Sequence, residues 1–356
     1  MVVPEIIDHF IGGQRARSSC GKTFGAADPA TGREYARVAV GLAADVNNAV
    51  RAGLFAYETG PWPGLPAAER AGVLDAIADA IDARAAEIAG AESLGTGLPL
   101  TQATEQAARA AEQFRRAAGL ARTRPAPAAP GPASYVAERP AGVAGVITSW
   151  RTPFLAQARA VAAALAAGCT VVLSPDVWAP LPAALLAEIT VHSGLPDGVL
   201  NVVHGTGDWR GDGDGARTDV PDALAAHPHV ARLSPPAGAA CSAGLVFADA
   251  DLDRAADSLL FGALALNGQR RSATSAVLAE RPAYDALVSR LAASARRIRV
   301  GDPSDPSTEL GPLVHPEQRE RVSSYVRLGV REAPGWRPGG GGRPAGPRGT
   351  TWRRPS

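Results

Sequence analysis

The chain has three thiols that could act as nucleophiles or as metal ligands. They are Cys20, Cys169 and Cys241, and they lie far apart in the sequence. This spacing fits neither a disulfide framework nor a metal site, and it is typical of proteins in a reducing compartment. Cys169 lies at the start of a predicted strand, so we expect it in the core. Cys241 has no histidine near it in sequence, and we expect a small buried residue there.

Three histidines are candidates for acid–base or metal chemistry. His204 follows a predicted strand, at the end where ligands often bind, but a lone histidine there is expected to be a solvated loop residue. His227 and His229 flank Pro228. Two imidazoles in a loop supply too few ligands for a metal ion, so we expect no metal site from them.

Two adjacent guanidinium groups follow at Arg270 and Arg271. Such a pair can bind a carboxylate or a phosphate; the alternative, which we favour, is that the two arginines have no binding role. Ser272 and Ser275 flank them without an evident general base, so we expect both to be ordinary residues at the entry to a strand. Lys22 is the only lysine, which excludes any other chemistry that needs a lysine ammonium.

Composition narrows the class of protein. The chain has 356 residues, is 46% hydrophobic and carries a formal net charge of +1. These values fit a folded protein of two domains and give no reason to expect nucleic acid or a membrane as partner. The first residues lack the pattern of a signal peptide, and the apolar stretch 156–167 is too short for a membrane span. We expect a cytoplasmic protein.

The elements that must position these side chains follow from periodicity. Helical patterns cover 43–55, 66–91 and 102–122, after short strands and turns in 1–40. From 143 the chain alternates strand and helix, with strands at 143–149, 170–173 and 199–203 and helices at 154–167 and 181–193. This rhythm predicts an α/β fold with a doubly wound parallel sheet, which binds ligands at the carboxyl ends of its strands.

The rhythm weakens after Gly205. The segment 208–219 is polar and is predicted to be a loop, and 234–244 is too short and too rich in small residues for a helix. Helix returns at 251–266 and 283–297, with a strand at 276–280 between them. From Glu332 the tail is rich in Gly, Pro and Arg, and we expect it to be disordered.

Several local phrases, in this order along the chain, resemble the NAD(P)-dependent aldehyde dehydrogenase superfamily: HFIGGQ, DPATG, ITSWRTPF, GLPDGVLNVVHGTG, FADADLDRAAD and NGQRRSATSAVLAE. GTGLPLTQ at 95–102 is nearest to the semialdehyde-oxidising branch. The resemblance implies a Rossmann-like nucleotide-binding domain and an incomplete second α/β catalytic domain. We expect a nucleotide-binding-like domain at 1–122 and 143–233, with a Pro-rich connector and an oligomerisation-type hairpin at 123–142. A truncated catalytic-like domain at 234–331 and a disordered tail at 332–356 are expected to follow.

The family's catalytic positions hold unsuitable residues here. By resemblance, its nucleophilic cysteine corresponds to Arg271, which is always protonated and cannot attack an aldehyde. The asparagine that helps to hold the oxyanion corresponds to Arg151. The general-base glutamate corresponds to the region of Ala237, where no carboxylate stands. The resemblance therefore implies an oxidoreductase scaffold, whereas these residues predict an inactive or severely impaired enzyme.

The family's cofactor, NAD or NADP, also loses contacts. The lysine and glutamate that hold the adenosine ribose correspond to Ser174 and Val177, although Asp176 could replace the glutamate in part. The family's phosphate-binding turn and the helix after it are expected to be deleted near Ser234. The vestigial cofactor-binding positions that remain are Thr148, Trp150, Ser174, Gly207 and Gly211. We expect weak or absent binding.

Two alternatives stay open at this point. The chain could be a pseudoenzyme that joins an active full-length homologue through 124–149, or a homo-oligomer. It could also be a remnant nucleotide-binding module. Its substrate and its preference between NAD and NADP do not follow from the sequence.

Overall fold

The computed structural model describes residues 3–123, 139–205, 219–233 and 242–332. The chain divides into two compact units. The first comprises Met1–Ala26, Glu34–Glu92 and Thr104–Pro236, and the second comprises Ala27–Arg33, Ser93–Ala103 and Ala237–Ser356. Most of the predicted connector and hairpin (123–142) and of the predicted disordered tail (332–356) lies outside the described residues.

Strands and helices alternate through most of the chain. The strands are β1 Ile6–Ile7, β2 His9–Ile11, β3 Gln14–Ala16, β4 Thr23–Ala27, β5 Glu34–Ala39, β6 Val143–Ile147, β7 Thr170–Ser174, β8 Leu200–Val202, β9 Val230–Leu233, β10 Ser242–Val246 and β11 Thr274–Ala279. The α-helices are α1 Ala43–Thr59, α2 Ala67–Ala83, α3 Ala85–Thr96, α4 Leu100–Thr123, α5 Pro153–Ala166, α6 Leu181–His192, α7 Asp219–Ala226, α8 Leu252–Leu264, α9 Arg281–Arg297 and α10 Pro316–Glu332.

The first unit is built on a six-stranded sheet. Its strand order is β3-β2-β8-β7-β6-β9, and the four strands β8, β7, β6 and β9 run parallel. The chain moves outward from β6 to β7 and β8, then returns to place β9 on the other side of β6. The order thus reverses at β6, where sheets of this kind form a ligand crevice. The predicted doubly wound α/β fold is confirmed.

Both faces of this sheet are covered by helices. On β7, Val171 and Leu173 pack into one apolar cluster and Val172 packs into the other, as the two-residue repeat of a strand requires. Helices α2, α4, α5 and α6 contribute to the first cluster, and α1 and α7 contribute to the second. Each fully buried Leu or Phe in such a core contributes about 1.5–3 kcal/mol.

The β2–β3 hairpin closes one edge of the sheet. Its turn residues, Gly12 and Gly13, both have positive φ, a conformation that glycine adopts without a steric penalty. The Gly12 N–H donates to the side-chain oxygen of Asn201 at 2.9 Å, which ties the turn to β8. The short strands and turns predicted in 1–40 are confirmed here.

Two elements were not predicted, and one prediction of local structure was wrong. The sequence indicated neither helix α7 nor strand β9, and β9 extends the parallel sheet by pairing with β6. The predicted continuous helix over 66–91 is two helices, because the first ends at Arg84, whose φ and ψ are −108° and 17°. The second of these helices continues to Thr96.

The second unit contains a smaller α/β arrangement. Strands β10 and β11 pair in parallel, and α8 connects them. Helices α8 and α9 pack on one face of this pair around Val246, Ala256 and Leu287. No helix in the described part of the chain is long and apolar enough to cross a membrane.

Candidate functional site

The carboxyl edge of the first unit's sheet brings together three of the predicted cofactor-binding residues. Thr148 and Ser174 follow or end the adjacent strands β6 and β7, and the Thr148 N–H donates to the Ser174 carbonyl at 3.1 Å. Both side-chain hydroxyls are buried, and neither has a hydrogen-bond partner among the described residues. Trp150 lies two residues beyond Thr148 and is also buried. The edge therefore offers two neutral hydroxyls and an indole, without a charged group among these three.

Arg151 lies over an aromatic side chain. Its guanidinium carbon is 4.6 Å from the centre of the Trp150 ring, and Trp178 packs against the same indole at 5.8 Å. A cation over an indole face gains about 0.5–2 kcal/mol. This contact fixes the guanidinium of Arg151 over the Trp150 ring. A donor in an oxyanion hole would have to point at the substrate oxygen on which negative charge develops.

The turn into α5 is conformationally strained and held by a buried acid. Thr152 adopts a left-handed conformation (φ 44°, ψ 60°), which is unfavourable for a β-branched residue. A carboxyl oxygen of Glu92 accepts a hydrogen bond from the Phe154 N–H at 3.2 Å. Burial raises the pKa of Glu92 to about 8, although the Phe154 hydrogen bond opposes the shift. Glu92 thus accepts a hydrogen bond from the first turn of α5. It was not among the candidate residues that the sequence suggested.

The segment after β7 uses its acidic residue to build a turn. The Asp176 carboxylate accepts a hydrogen bond from the Trp178 N–H at 3.1 Å, and both Asp176 and Val177 are buried. Asp176 is therefore already engaged by its own backbone. Val177, at the position that resembles the family's glutamate, offers no hydrogen bond.

In the second unit, an unusual loop leads to Arg271. Three consecutive residues, Leu266, Asn267 and Gly268, have positive φ, which costs a non-glycine residue about 1–2 kcal/mol. Asn267 holds the loop in place: its amide donates to the carbonyls of Gly97 (2.8 Å) and Pro312 (3.0 Å), and its oxygen accepts from Gly311 (2.8 Å). Strain of this kind persists only where the surroundings fix it, and it is common at active sites.

The residues after this loop cannot act as a nucleophile with a base. Arg271 is half-buried, on the turn that the Arg270 carbonyl closes by accepting from the Ala273 N–H at 3.2 Å. Arg270 Nε donates to the Ser272 hydroxyl at 3.1 Å, and the Ser275 hydroxyl donates to the Ser242 carbonyl at 3.3 Å. Both hydroxyls are thus engaged in local structure. The described residues of this unit include no cysteine.

Four sequence candidates lie outside the described residues. These are Ala237 at the position of the general base, Cys241, and the glycines Gly207 and Gly211.

The histidines and cysteines have different environments from one another. Cys169 is buried in the core, as predicted, and Cys20 is exposed. The prediction that His204 is solvated was wrong: it is 1% exposed, because β1, β2 and α6 fold over it. His227 and His229 pack ring to ring with centres 5.8 Å apart. Within the described ranges, no three potential ligands are grouped closely enough to hold a metal ion.

Comparison with known proteins decides the family. The model of the aldehyde dehydrogenase family matches residues 16–355. The chain belongs to the aldehyde dehydrogenase family.

Individual relatives agree with this assignment. The 2-hydroxymuconic semialdehyde dehydrogenase of Pseudomonas sp. (strain CF600) is 37% identical, over 98% of this chain and 76% of its own length. An NAD-dependent aldehyde dehydrogenase from Sinorhizobium meliloti superposes with a TM-score of 0.85 at 31% identity, over 92% of this chain and 69% of that one. A mutant of aldehyde dehydrogenase C from Pseudomonas syringae, solved with NAD+ and octanal, gives 0.87 at 31% identity, over 98% and 74%.

The positive charge of Arg271 and the lack of a carboxylate at Val177 follow from residue type alone. Two other features were not among the sequence candidates. The anchoring role of Asn267 had one signal, because Asn-Gly marks a turn with positive φ. The burial of Glu92 had none, since it lies in a helix whose repeat does not distinguish a buried acid from an exposed one.

Proposed function

We propose that this member of the aldehyde dehydrogenase family does not oxidise aldehydes. The observation that carries the proposal is Arg271, which stands at the end of a strained and well-anchored loop where the family has its thiolate. A guanidinium stays protonated and cannot add to a carbonyl carbon. The neighbouring serines are engaged in local hydrogen bonds. The loop is well anchored by Asn267, but it presents a guanidinium and no thiol.

Steady-state assays of NADH formation test this proposal. We expect the wild-type protein to show no turnover above background with simple aldehydes or with 2-hydroxymuconic semialdehyde, the substrate class named for a relative. Losing a nucleophile typically lowers kcat on the order of 10⁶-fold. Turnover by the wild type that Cys241→Ser abolishes and Cys20→Ser preserves would overturn the proposal, because it would show that another thiol has taken over.

We also propose that NAD(P) binds weakly or not at all. At the sheet edge the dinucleotide would meet the two neutral hydroxyls of Thr148 and Ser174, the apolar side chain of Val177, and an Asp176 carboxylate already bonded to its own turn. Two missing charge-assisted hydrogen bonds correspond to about 1.5–3 kcal/mol each, hence roughly 10²- to 10⁴-fold in affinity.

The phosphate-binding helix also lacks room in the sequence. Only eight residues, 234–241, separate the end of β9 from the start of β10, which is fewer than the roughly 11–12 residues of an average helix, before any connection is counted. The alignment with the Pseudomonas enzyme spans 377 positions although this chain has 356 residues, which supports an internal deletion. The residues present therefore do not fit a tightly held dinucleotide.

Calorimetric titration with NAD+ and NADP+ tests this second proposal. We expect no sub-millimolar binding to the wild type and tighter binding to the Ser174→Lys/Val177→Glu double variant, which restores the family's residue types. Sub-millimolar binding to the wild type would instead support a nucleotide-binding module.

A second candidate function is that of a structural partner for an active homologue. It is favoured by the apolar side chains that the second unit exposes, among them Leu245, Phe247 and Leu278. Co-purification of the tagged chain with a full-length family member would support it; a stable monomer that recovers no such partner would contradict it.

A further inference from the structure

The first unit contains a groove between helices α4 and α5, and none of the candidate cofactor-binding residues lines it. Its volume is ≈ 440 Å³, within the range of sites for small molecules. Each helix contributes one face, because residues four apart in a helix lie on the same side. Arg116 and Leu120 line the groove from α4, and Arg159, Ala163 and Ala167 line it from α5.

The floor of the groove is apolar and open to solvent. Alanines from both helices form it, and their short side chains leave a trough between the helices. Ala163 is exposed, and Leu120 beside the trough is 62% exposed. Covering such a surface with an alkyl chain removes apolar area from water and is therefore favourable.

The charges on the groove are of one sign. Its lining includes the guanidiniums of Arg116 and Arg159, one from each helix, and no carboxylate. Other arginines of α4 are paired: Arg115 contacts Asp79 and Asp82 on α2, and a third aspartate on α2 pairs with Arg122. In the part of the chain that the structure describes, neither Arg116 nor Arg159 forms an ion pair. The groove thus offers two guanidiniums that are free to bind an anion.

The chemistry of these side chains selects the kind of anion. A guanidinium matches a carboxylate in shape and charge, and its apolar stem can extend the wall of the groove while the charged head stays in water. Two cations at one small groove suit a single anionic head group. An acidic helix of a partner protein would instead need basic residues along its whole length.

We propose that this groove binds a free alkyl carboxylate, with the carboxylate paired to Arg116 and Arg159 and the chain lying on the alanines and Leu120. The apolar floor supplies most of the affinity, and the guanidiniums select for negative charge. The site does not depend on whether the chain oxidises aldehydes.

Three probes of equal chain length test the proposal: decanoate, 1-decanol and decyltrimethylammonium, titrated by calorimetry below the concentrations at which they form micelles. We expect saturable binding of decanoate that weakens with added salt, weaker binding of 1-decanol and none of the ammonium compound. Vesicles of phosphatidylcholine and phosphatidylglycerol are the fourth probe, and we expect the protein not to sediment with them. No binding of decanoate, equal binding of all three decyl compounds, or binding to the vesicles alone would overturn the proposal.

Variants of the two arginines assign the head group. Arg116→Gln and Arg159→Gln should each weaken decanoate roughly two- to fivefold, since exposed ion pairs are weak, and should leave 1-decanol unchanged. Arg51→Gln is the control, because Arg51 is exposed on α1, which packs on the opposite face of the sheet. Decanoate binding that is unchanged in the Arg116→Gln/Arg159→Gln protein would remove the assigned role of the guanidiniums.

A variant of the floor gives an independent test. Ala163→Glu places a carboxylate in the trough at an exposed helical position, where glutamate is tolerated, and should abolish decanoate binding. Ala108→Glu, exposed on α4 and outside the groove, carries the same change of charge and should bind decanoate as the wild type does. Circular dichroism melting checks that each variant folds. A folded Ala163→Glu protein that binds decanoate like the wild type would place the ligand elsewhere.

Discussion

At the scale of single residues, the loop before Arg271 is fixed by hydrogen bonds to residues distant in the sequence. Asn267 makes three hydrogen bonds that hold a left-handed segment in place, and Gln102 accepts from the Leu266 N–H at 2.7 Å. The chemistry at Arg271 was predictable because a guanidinium is protonated in any environment. The burial of His204 was not, because it depends on strands and a helix distant in sequence that fold over it.

Glu92 is the buried carboxyl whose ionisation we expect to affect stability. Its pKa is about 8 in the folded protein, against the ordinary value of 4.5. The folded state therefore keeps a proton that the unfolded chain releases above about pH 4.5. Stability falls as the pH rises from there to about 8, by on the order of 4 kcal/mol, and is level beyond.

Glu92→Gln retains an acceptor for the Phe154 N–H and cannot ionise. We expect urea denaturation to show a much smaller loss of unfolding free energy between pH 5 and pH 8 for this variant than for the wild type. Glu105→Gln, on the exposed face of α4, is the control and should behave like the wild type. The same pH dependence in Glu92→Gln and the wild type would contradict the assignment.

At the scale of elements, the apolar patterns determined what could be predicted. Strands β6 and β7 are short apolar runs between helices, and their parallel pairing followed from that rhythm. Helix α7 and strand β9 are short and follow a polar segment, so their pattern was too weak to indicate structure. Arg84 interrupts a helical stripe that continues on both sides of it, which is why the sequence predicted one helix there.

Gly145, on β6, can be used to test how α7 and β9, the two elements that the sequence did not predict, pack against the sheet. A Cβ at this position would lie 2.5 Å from Val230 and 3.1 Å from Leu224, which belong to β9 and α7. We expect Gly145→Ala to lower the free energy of unfolding by about 1–3 kcal/mol through overpacking. Gly72→Ala is the matched control, because nothing lies within 4 Å of its Cβ and alanine favours helix α2 by up to about 1 kcal/mol. Urea titration measures both; an unchanged Gly145→Ala protein would place β9 elsewhere.

At the scale of the whole molecule, the second unit leaves apolar surface uncovered. Parallel strands are normally buried on both faces, yet Leu245 and Leu278 on β10 and β11 are 64% and 61% exposed. The predicted domain boundaries and the predicted partner remain predictions.

This surface should promote association and dye binding. We expect the wild type to bind an apolar fluorescent dye and to self-associate with rising concentration in sedimentation velocity. The Leu245→Glu/Leu278→Glu variant should lose most of both effects, because charge on the exposed face disfavours its burial. Phe55→Glu, an equally exposed position on α1, should change neither. Dye binding that is identical in all three proteins would show that this face is covered.

The proposed absence of thiol chemistry is tested most directly by an attempt to trap a covalent intermediate. The protein is incubated with NAD+ and an aldehyde, quenched with acid and analysed by peptide mass mapping, beside an active family member as positive control. We predict that Cys20, Cys169 and Cys241 are all recovered unmodified. An acyl group mapped to Cys241, or to either of the other two, would contradict the account.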